Sequence, residues 1–425
     1  MRVKDKQENS TFAIYIFLFD MCILPTFHIA GLPFKVAYLI SFLMVFLYLV
    51  NANIRISSRI IVANTNFKSM RSNPQARRML LCVAAIILIT MLGEMTCYFY
   101  TTIVDSSPLR NAIFFYIVLL GSMIIGYCQY NYNKNYLIFL LVLYCGINII
   151  FSILGTGAPL FLRRLYNMIG EKENFYFSLR MVGTMGNPNA TLCVMNMLFM
   201  SIVVYVRRGE IKVDSLPKLS VIVVLPLFTN GFVNSRGEFL VTLVIMIGLF
   251  FAIMDNNENI SKTILRIGII IAVGLIAFYF LLNYLLAKYP TVAYSINRLS
   301  SIFSVGTNTT VETDSLSDRP FIHFDEFVDR FKTSPIWGTG FGKGNTYPFL
   351  RSCESFHNDW FRIFGSGGIL GGCVWLYMIY ISIKKCGLLY VTPFLITAIS
   401  NTFIASPMAL GIYIITVMSL IRRDE

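Results

Sequence analysis

Tyr136–Leu154 reads YLIFLLVLYCGINIIFSIL, nineteen residues without a charged side chain. Wound as a helix, this run would be ~28 Å long, close to the hydrocarbon thickness of a bilayer. Runs of the same kind recur along the 425-residue chain. They place spans at about 11–29, 33–50, 79–98, 111–128, 136–154, 190–206, 219–235, 237–254, 267–286, 361–383, 388–404 and 408–421. Composition agrees. The chain is 56% hydrophobic and only 13% charged, whereas a soluble domain is about 25% charged. Its mean hydropathy is +0.67. So much apolar surface cannot be hidden in one water-facing core, and lipid is the solvent that fits. The expected fold class is an all-α polytopic membrane protein, one integral domain over 1–425, with about twelve transmembrane helices. Met1–Ser10 is polar and basic, and the first apolar run passes into the second without a small-residue cleavage site, so no cleavable signal peptide is expected.

The net charge of +13 raises the question of nucleic acid. The basic residues answer it by sitting in short loops between apolar runs, a pattern of membrane topology, and no nucleic-acid partner is expected. Arg2, Lys4 and Lys6, then Arg55 through Arg78, Lys134, Arg207 through Lys218, Lys262 and Arg266, Lys384 and Lys385, and Arg422 and Arg423 all fall on one side of a twelve-span arrangement. The short loops of the other side hold few, chiefly Arg110 and Arg236. Both termini are therefore expected in the cytoplasm. The nine cysteines are scattered, with no Cys-x-x-Cys and no ligand cluster, so neither a metal site nor a disulfide framework is indicated.

Two long loops remain on the outer side, 155–189 and 287–360. Loops of this length in a compact protein are working parts or disordered. The second is expected to be partly helical: Phe321, Phe324, Phe327, Val328 and Phe331 share one helical face. Such a helix would lie at the membrane surface or lid a cavity. Simple packing of the stripe on the span ends is the expected role.

The residues that could carry chemistry lie on this outer side. His357-Asn358 precedes Gly368-Ile-Leu-Gly371-Gly372. A histidine at a membrane–water boundary can accept a proton at neutral pH, or serve as a loop cap. Ser178-Leu-Arg180 leads into Gly186-Asn187-Pro188-Asn189, a turn signal at the start of a span, whose asparagines equally suit a helix cap. Asn234-Ser235-Arg236-Gly237-Glu238 joins two spans, and Glu238 is the expected ion-pair partner of Arg236 if that arginine is structural. Asp318-Arg319-Pro320 enters the Phe-striped helix. Trp337-Gly338-Thr-Gly340-Phe-Gly342-Lys343-Gly344 lacks the spacing of a nucleotide loop and reads as a flexible loop, with phosphate contact as its sharper use. Asp20 and Glu94 lie inside spans with no partner evident in the sequence, and His28 and His323 read as structural. Arg180, Arg236, Arg319 and His357 thus come from four segments on one side. Several arginines offer the bidentate, permanently charged donors that a pyrophosphate needs.

In their order these motifs resemble the O-antigen polymerase and ligase superfamily: Arg180…Gly186-Asn187-Pro188-Asn189, Ser235-Arg236-Gly237, Arg319 with Pro335-Ile-Trp-Gly-Thr-Gly-Phe-Gly342, and His357-Asn358 with Gly368 and Gly371, over roughly residues 176–383. The resemblance implies an inverting, metal-independent glycosyltransferase of the bacterial inner membrane, without cofactor, working on the periplasmic face. Its donor would be a glycan on undecaprenyl pyrophosphate. By the same resemblance Arg236 and Arg319 bind the pyrophosphate, Arg180 lines the site, and His357 activates or orients the acceptor hydroxyl. Asn187, Asn189, Asn358 and Lys343 complete the expected substrate-binding set. The acceptor is a second lipid-linked repeat unit in polymerases and lipid A–core in ligases, and a chain-length regulator is a further expected partner. His357-Asn358 with its glycines also fits the ligase pattern; the Gly-Asn-Pro-Asn run looks more like the polymerase side, and polymerase is the expected activity. A transporter of lipid-linked oligosaccharide is the rival of another class, but no internal repeat is visible and the polar cluster lies at the outer boundary rather than the midplane. A structural partner in polysaccharide export is a further rival.

Overall fold

The computed structural model describes residues 12–29, 32–50, 64–100, 107–154, 184–185, 188–213, 215–233, 235–256, 324–340, 358–400 and 406–424, with scattered residues between 265 and 284. In order the elements are α1 Phe12–Cys22, β1 Phe27–Ile29, β2 Leu32–Phe34, α2 Val36–Leu49, α3 Asn64–Ser72, α4 Pro74–Tyr100, α5 Ser107–Cys128, α6 Asn135–Leu154, α7 Pro188–Arg207, α8 Leu216–Val233, α9 Arg236–Asn256, α10 Phe324–Thr333, α11 Asp359–Cys386, α12 Leu388–Ser400 and α13 Pro407–Arg423.

Among the described residues six helices are long and apolar enough to cross a membrane: α4, α6, α7, α8, α9 and α11. Shorter apolar helices accompany them, among them α1, α2 and α12. The span expected at 11–29 is corrected. The helix ends at Cys22, and Phe27–Phe34 form an antiparallel hairpin with Phe27 opposite Phe34. Pro25, Gly31 and Pro33 explain the stop, since proline cannot continue a helix and the Gly-x-Pro run favours a turn. The fold is thus helical apart from one small hairpin among the described residues. The span expected at 267–286 lies almost wholly outside them.

The chain divides into two compact units, one of residues 1–18, 36–132 and 314–425, the other of residues 19–35 and 133–313. The first is built about α13, whose residues Ala409 to Ile421 are all buried. It packs chiefly on α5, and α11 packs on α4, α10, α12 and α13. The second is built about α7, which α6, α8 and α9 surround. In each unit one buried helix sheathed by others leaves the remaining apolar faces, such as Leu88, Phe139 and Phe251, exposed as lipid would require.

Each unit also gathers basic residues at one end. In the first, the Arg422 guanidinium lies 5.3 Å from the Tyr127 ring and 5.5 Å from that of Tyr130, and donates to Ser69 Oγ. Arg71 stacks on Tyr48 at 4.7 Å, and Lys385 pairs with Asp424 at 2.9 Å. In the second, Lys218 Nζ donates to Asn135 Oδ1 at 2.9 Å and to the Lys212 carbonyl at 2.6 Å, Lys134 stands 5.1 Å from the Tyr205 ring, and Arg207 faces Asp255 at 3.8 Å. Loops that the charge pattern assigns to one side therefore meet within each unit.

Candidate functional site

In the first unit the stretch after α10 is threaded into a break in α11. Gly368 has φ 59° and ψ −161°, which interrupts that helix. The break frees main-chain groups at membrane depth, where each must find a partner. Residues 335–340 supply them. Thr339 N donates to Gly365 O at 3.1 Å and Gly340 N to Ser366 O at 2.9 Å; in return Ile369 N donates to Pro335 O at 2.9 Å and Leu370 N to Ile336 O at 3.1 Å. Gly338 N is taken by Ser334 O at 2.9 Å. The other wall is α4. A Cβ placed on Gly93 would fall 2.5 Å from Gly340 N, and one on Gly340 would fall 2.5 Å from Glu94 Cδ. Gly365 and Ser366 stand six and seven residues into α11, so the loop reaches ~10 Å below the helix start.

This corrects the flexible loop expected over 337–344 as far as Gly340; residues 341–344 lie outside the described residues. Residues 338–340 are fixed, and their amides are bonded within the protein, so phosphate contact through those amides is excluded. Glu94, partnerless in the sequence, packs against this loop. Just below, Tyr116 Oη donates to Thr90 Oγ1 at 2.6 Å. A cavity with room for about one water opens there, lined by Ile86, Ile89, Thr90, Ile363, Gly367 and Trp375.

The Phe stripe of α10 packs on the start of α11. Phe327 stacks on Phe361 with centroids 4.8 Å apart, and Phe324 lies 5.6 Å from the same ring. Packing on a span end, rather than a lid, is therefore its role. The contact ties the segment that begins five residues after Arg319 to the ring four residues after His357. Asn358 is buried and caps α11, its Oδ1 accepting from Trp360 N at 2.9 Å. Asp359, in the first turn, is fully buried and stands one turn before Arg362. Sequence reasoning passed over this pair, although its i, i+3 spacing signals it.

In the second unit a turn is sunk in the same way. Thr184 N donates to Asn148 Oδ1 at 2.9 Å, and Asn148 Nδ2 donates to Tyr144 O at 2.9 Å. Asn148 lies six residues before the end of α6, so the turn sits ~9 Å below that end. Tyr144 Oη donates to Thr191 O at 2.9 Å, which fastens α7 to α6. Asn189 is half-buried in the first turn of α7. Five residues beyond Thr191, Asn196 Nδ2 donates to Glu238 Oε2 at 2.7 Å and to the Glu238 carbonyl at 3.1 Å. That bond holds the start of α9, whose first residue is Arg236, against α7 at a point ~12 Å beyond that helix's first residue. The ion pair of Glu238 with Arg236 expected of a structural arginine involves a side chain outside the described residues; Asn196 is a partner of Glu238 within them.

The structure thus places Asn189 and the backbone of Arg236 at one end of the second unit, and Asn358 beside α10 in the first. Arg180, Asn187, Arg319, Lys343 and His357 lie outside the described residues, as does the side chain of Arg236. Lys35, missed by sequence reasoning, is the neighbour of Asp20: it is buried, and its Nζ donates to the carbonyls of Asp20 at 2.7 Å and Leu24 at 2.6 Å, closing the end of α1. Among the described residues no group of three or more His, Cys, Asp or Glu is placed to hold a metal.

Residues 221–376 match the family described as O-antigen ligase. No curated protein matches the chain. The matched stretch runs from within α8 to the second half of α11. It takes in the segments of Arg236, Arg319, Lys343, His357 and the Gly368 break, and leaves out α4, α6 and the turn at 184.

Proposed function

We propose that this chain, of which residues 221–376 match the O-antigen ligase family, is a multi-pass membrane enzyme acting on lipid-linked glycans, an O-antigen polymerase. It joins undecaprenyl-pyrophosphate-linked repeat units by inverting glycosyl transfer on the periplasmic face of the bacterial inner membrane, with both termini in the cytoplasm. The acceptor hydroxyl attacks the anomeric carbon of the donor glycan as the bond to the pyrophosphate breaks. His357 takes the hydroxyl proton or orients the hydroxyl. Arg236 and Arg319 stabilise the charge that grows on the leaving pyrophosphate, with Arg180, Asn187, Asn189, Asn358 and Lys343 in substrate contact. The donor is already activated, so the reaction calls for neither nucleotide nor metal.

The observation that carries this reading is the anchoring of the motif-bearing segments within each unit. The Phe327–Phe361 stack holds the segment after Arg319 to the helix after His357, and the Asn196–Glu238 bond holds the segment of Arg236 against α7. Ligase activity is the second reading, favoured by the description of the matched family.

Deleting the chain and resolving the lipopolysaccharide on gels tests the choice. A polymerase deletion leaves core capped with a single repeat, the expected result. Bare core with polymer stranded on its carrier lipid would assign ligase activity instead. Bare core with units trapped on the cytoplasmic side would overturn both in favour of transport.

A further inference from the structure

Ser235-Arg236-Gly237-Glu238 has the spacing of a capping box, in which serine and glutamate close a helix start locally. The structure diverts it. Ser235 Oγ is buried and makes no hydrogen bond, while Glu238 Oε2 turns to Asn196 of α7. A local cap would satisfy the end of α9. A tertiary bond does something a cap cannot: it fixes the height and the rotation of the first turn against a neighbouring helix. Positions 236 and 238 stand about 200° apart around a helix axis, so holding 238 against α7 sets the side on which 236 lies.

The bond is also directed. Asn230 Nδ2 donates to Thr242 Oγ1 at 2.7 Å, and Thr242 Oγ1 lies 2.7 Å from Asn196 Oδ1. The hydroxyl, accepting from Asn230, has one proton, with Asn196 Oδ1 at 2.7 Å and the Glu238 carbonyl at 3.0 Å as its acceptors. The Glu238 carbonyl and carboxylate both only accept, so Asn196 presents its amide hydrogens to them. Asn196, Asn230, Glu238 and Thr242 are all fully buried. Three helices, α7, α8 and α9, thus join in one chain of donors ending on a carboxylate. The other charged side chains of these helices besides Arg236, namely Arg207, Lys218 and Asp255, lie at their opposite ends.

We propose that Asn196 and Glu238 are positioning residues for the donor pyrophosphate: together they set the first turn of α9, and with it Arg236. This rests on reading Arg236 as a pyrophosphate-binding residue. Asn196 lies outside the family-matched stretch, so the proposal extends the machinery to α7.

The test exchanges the two groups. Asn196→Asp puts two carboxyl groups where 2.7 Å now separates amide from carboxylate, and such a pair holds together only while it shares a proton. In the full chain reconstituted in nanodiscs, with an undecaprenyl-pyrophosphate-linked repeat unit as donor, Asn196→Asp should raise donor KM ~10–100-fold at pH 8, as loss of a supporting contact does. Affinity should recover as pH falls and the pair takes up its proton. The double variant Asn196→Asp with Glu238→Gln returns an amide facing a carboxylate, and should lie within about threefold of wild type with no recovery at acid pH, the coupling expected of touching residues. A merely structural role would change how much of the protein folds, and with it Vmax, without moving donor KM. Wild-type donor KM in Asn196→Asp, or a double variant no better than the single one, overturns the proposal. If Asn196→Asp does not fold, Thr242→Val reads the same chain, since it removes the hydroxyl that links Asn230 to Asn196 and Glu238; an unchanged donor KM there also overturns it. Arg236→Ala separates the two layers. If that variant keeps wild-type activity, the reading of Arg236 is what fails; if it is inactive while the Asn196 variants are unaffected, only the positioning proposal does.

Discussion

Gly367 and Gly368 are adjacent in α11, yet alanine should act on them in opposite ways. At Gly368 the backbone has φ 59° and ψ −161°, a region closed to side chains at a cost of ~1–3 kcal/mol. A Cβ there would also fall 2.5 Å from the Ile336 carbonyl carbon and oxygen. The loop must retreat, which breaks the bonds of Ile369 N and Leu370 N to Pro335 O and Ile336 O. Each buried main-chain group left unsatisfied adds ~1–3 kcal/mol. The sum, about 3–9 kcal/mol, approaches the ~5–15 kcal/mol by which a typical protein is stable. At Gly367 nothing lies within 4 Å of a Cβ, and alanine should gain up to ~1 kcal/mol of helix propensity. Hydrogen exchange on the detergent-purified protein reads the difference directly. Gly368→Ala should lose amide protection at 338–340 and 369–370 and lower the thermal midpoint, while Gly367→Ala keeps both. Equal protection and equal midpoints in the two variants would refute the interlocked loop.

Arg319→Lys should lower polymer formation nearly as far as Arg319→Ala, because a point charge cannot replace a planar fork; gel analysis of complemented deletion cells checks this, and full activity in the lysine variant removes the bidentate role. Phe361→Ala loses its contacts with Phe324 and Phe327, ~1–3 kcal/mol for two aromatic pairs, and should expose residues 324–333 to limited proteolysis, while Phe361→Leu is partly protected. Asn148→Leu leaves the Thr184 amide without its acceptor, ~1–3 kcal/mol, and should speed hydrogen exchange at that turn; Asn148→Asp, which keeps the acceptor, should not.

The spans were legible because the bilayer imposes one length and one polarity on them. Tyr136–Leu154 became a helix over Asn135–Leu154, and 190–206 one over Pro188–Arg207. Where that rule met local chemistry, local chemistry won: the apolar run from 11 to 29 was read straight through Pro25, and the structure stops at Cys22. The motifs were legible as an ordered set, since each carries an arginine or histidine among turn residues. Their supports were not. Asn148, Asn196 and Gly93 are single polar or small residues inside apolar runs, and each acquires meaning only from a segment brought to it by the fold. Lys35 is the same case: it stands inside the apolar run expected at 33–50, and it closes the carbonyls of α1.

Those supports share a physical cause. Non-helical backbone at membrane depth survives only where protein satisfies it, and this chain places such backbone in both units. At 184 the solution is a side chain, Asn148. At 335–340 it is another break: the loop lacks partners because it is not helical, and α11 lacks them because Gly368 interrupts it. Each supplies what the other is missing, so neither irregularity could be removed alone. Straightening α11 would orphan the loop, and pulling the loop out would leave the broken helix unsatisfied in lipid.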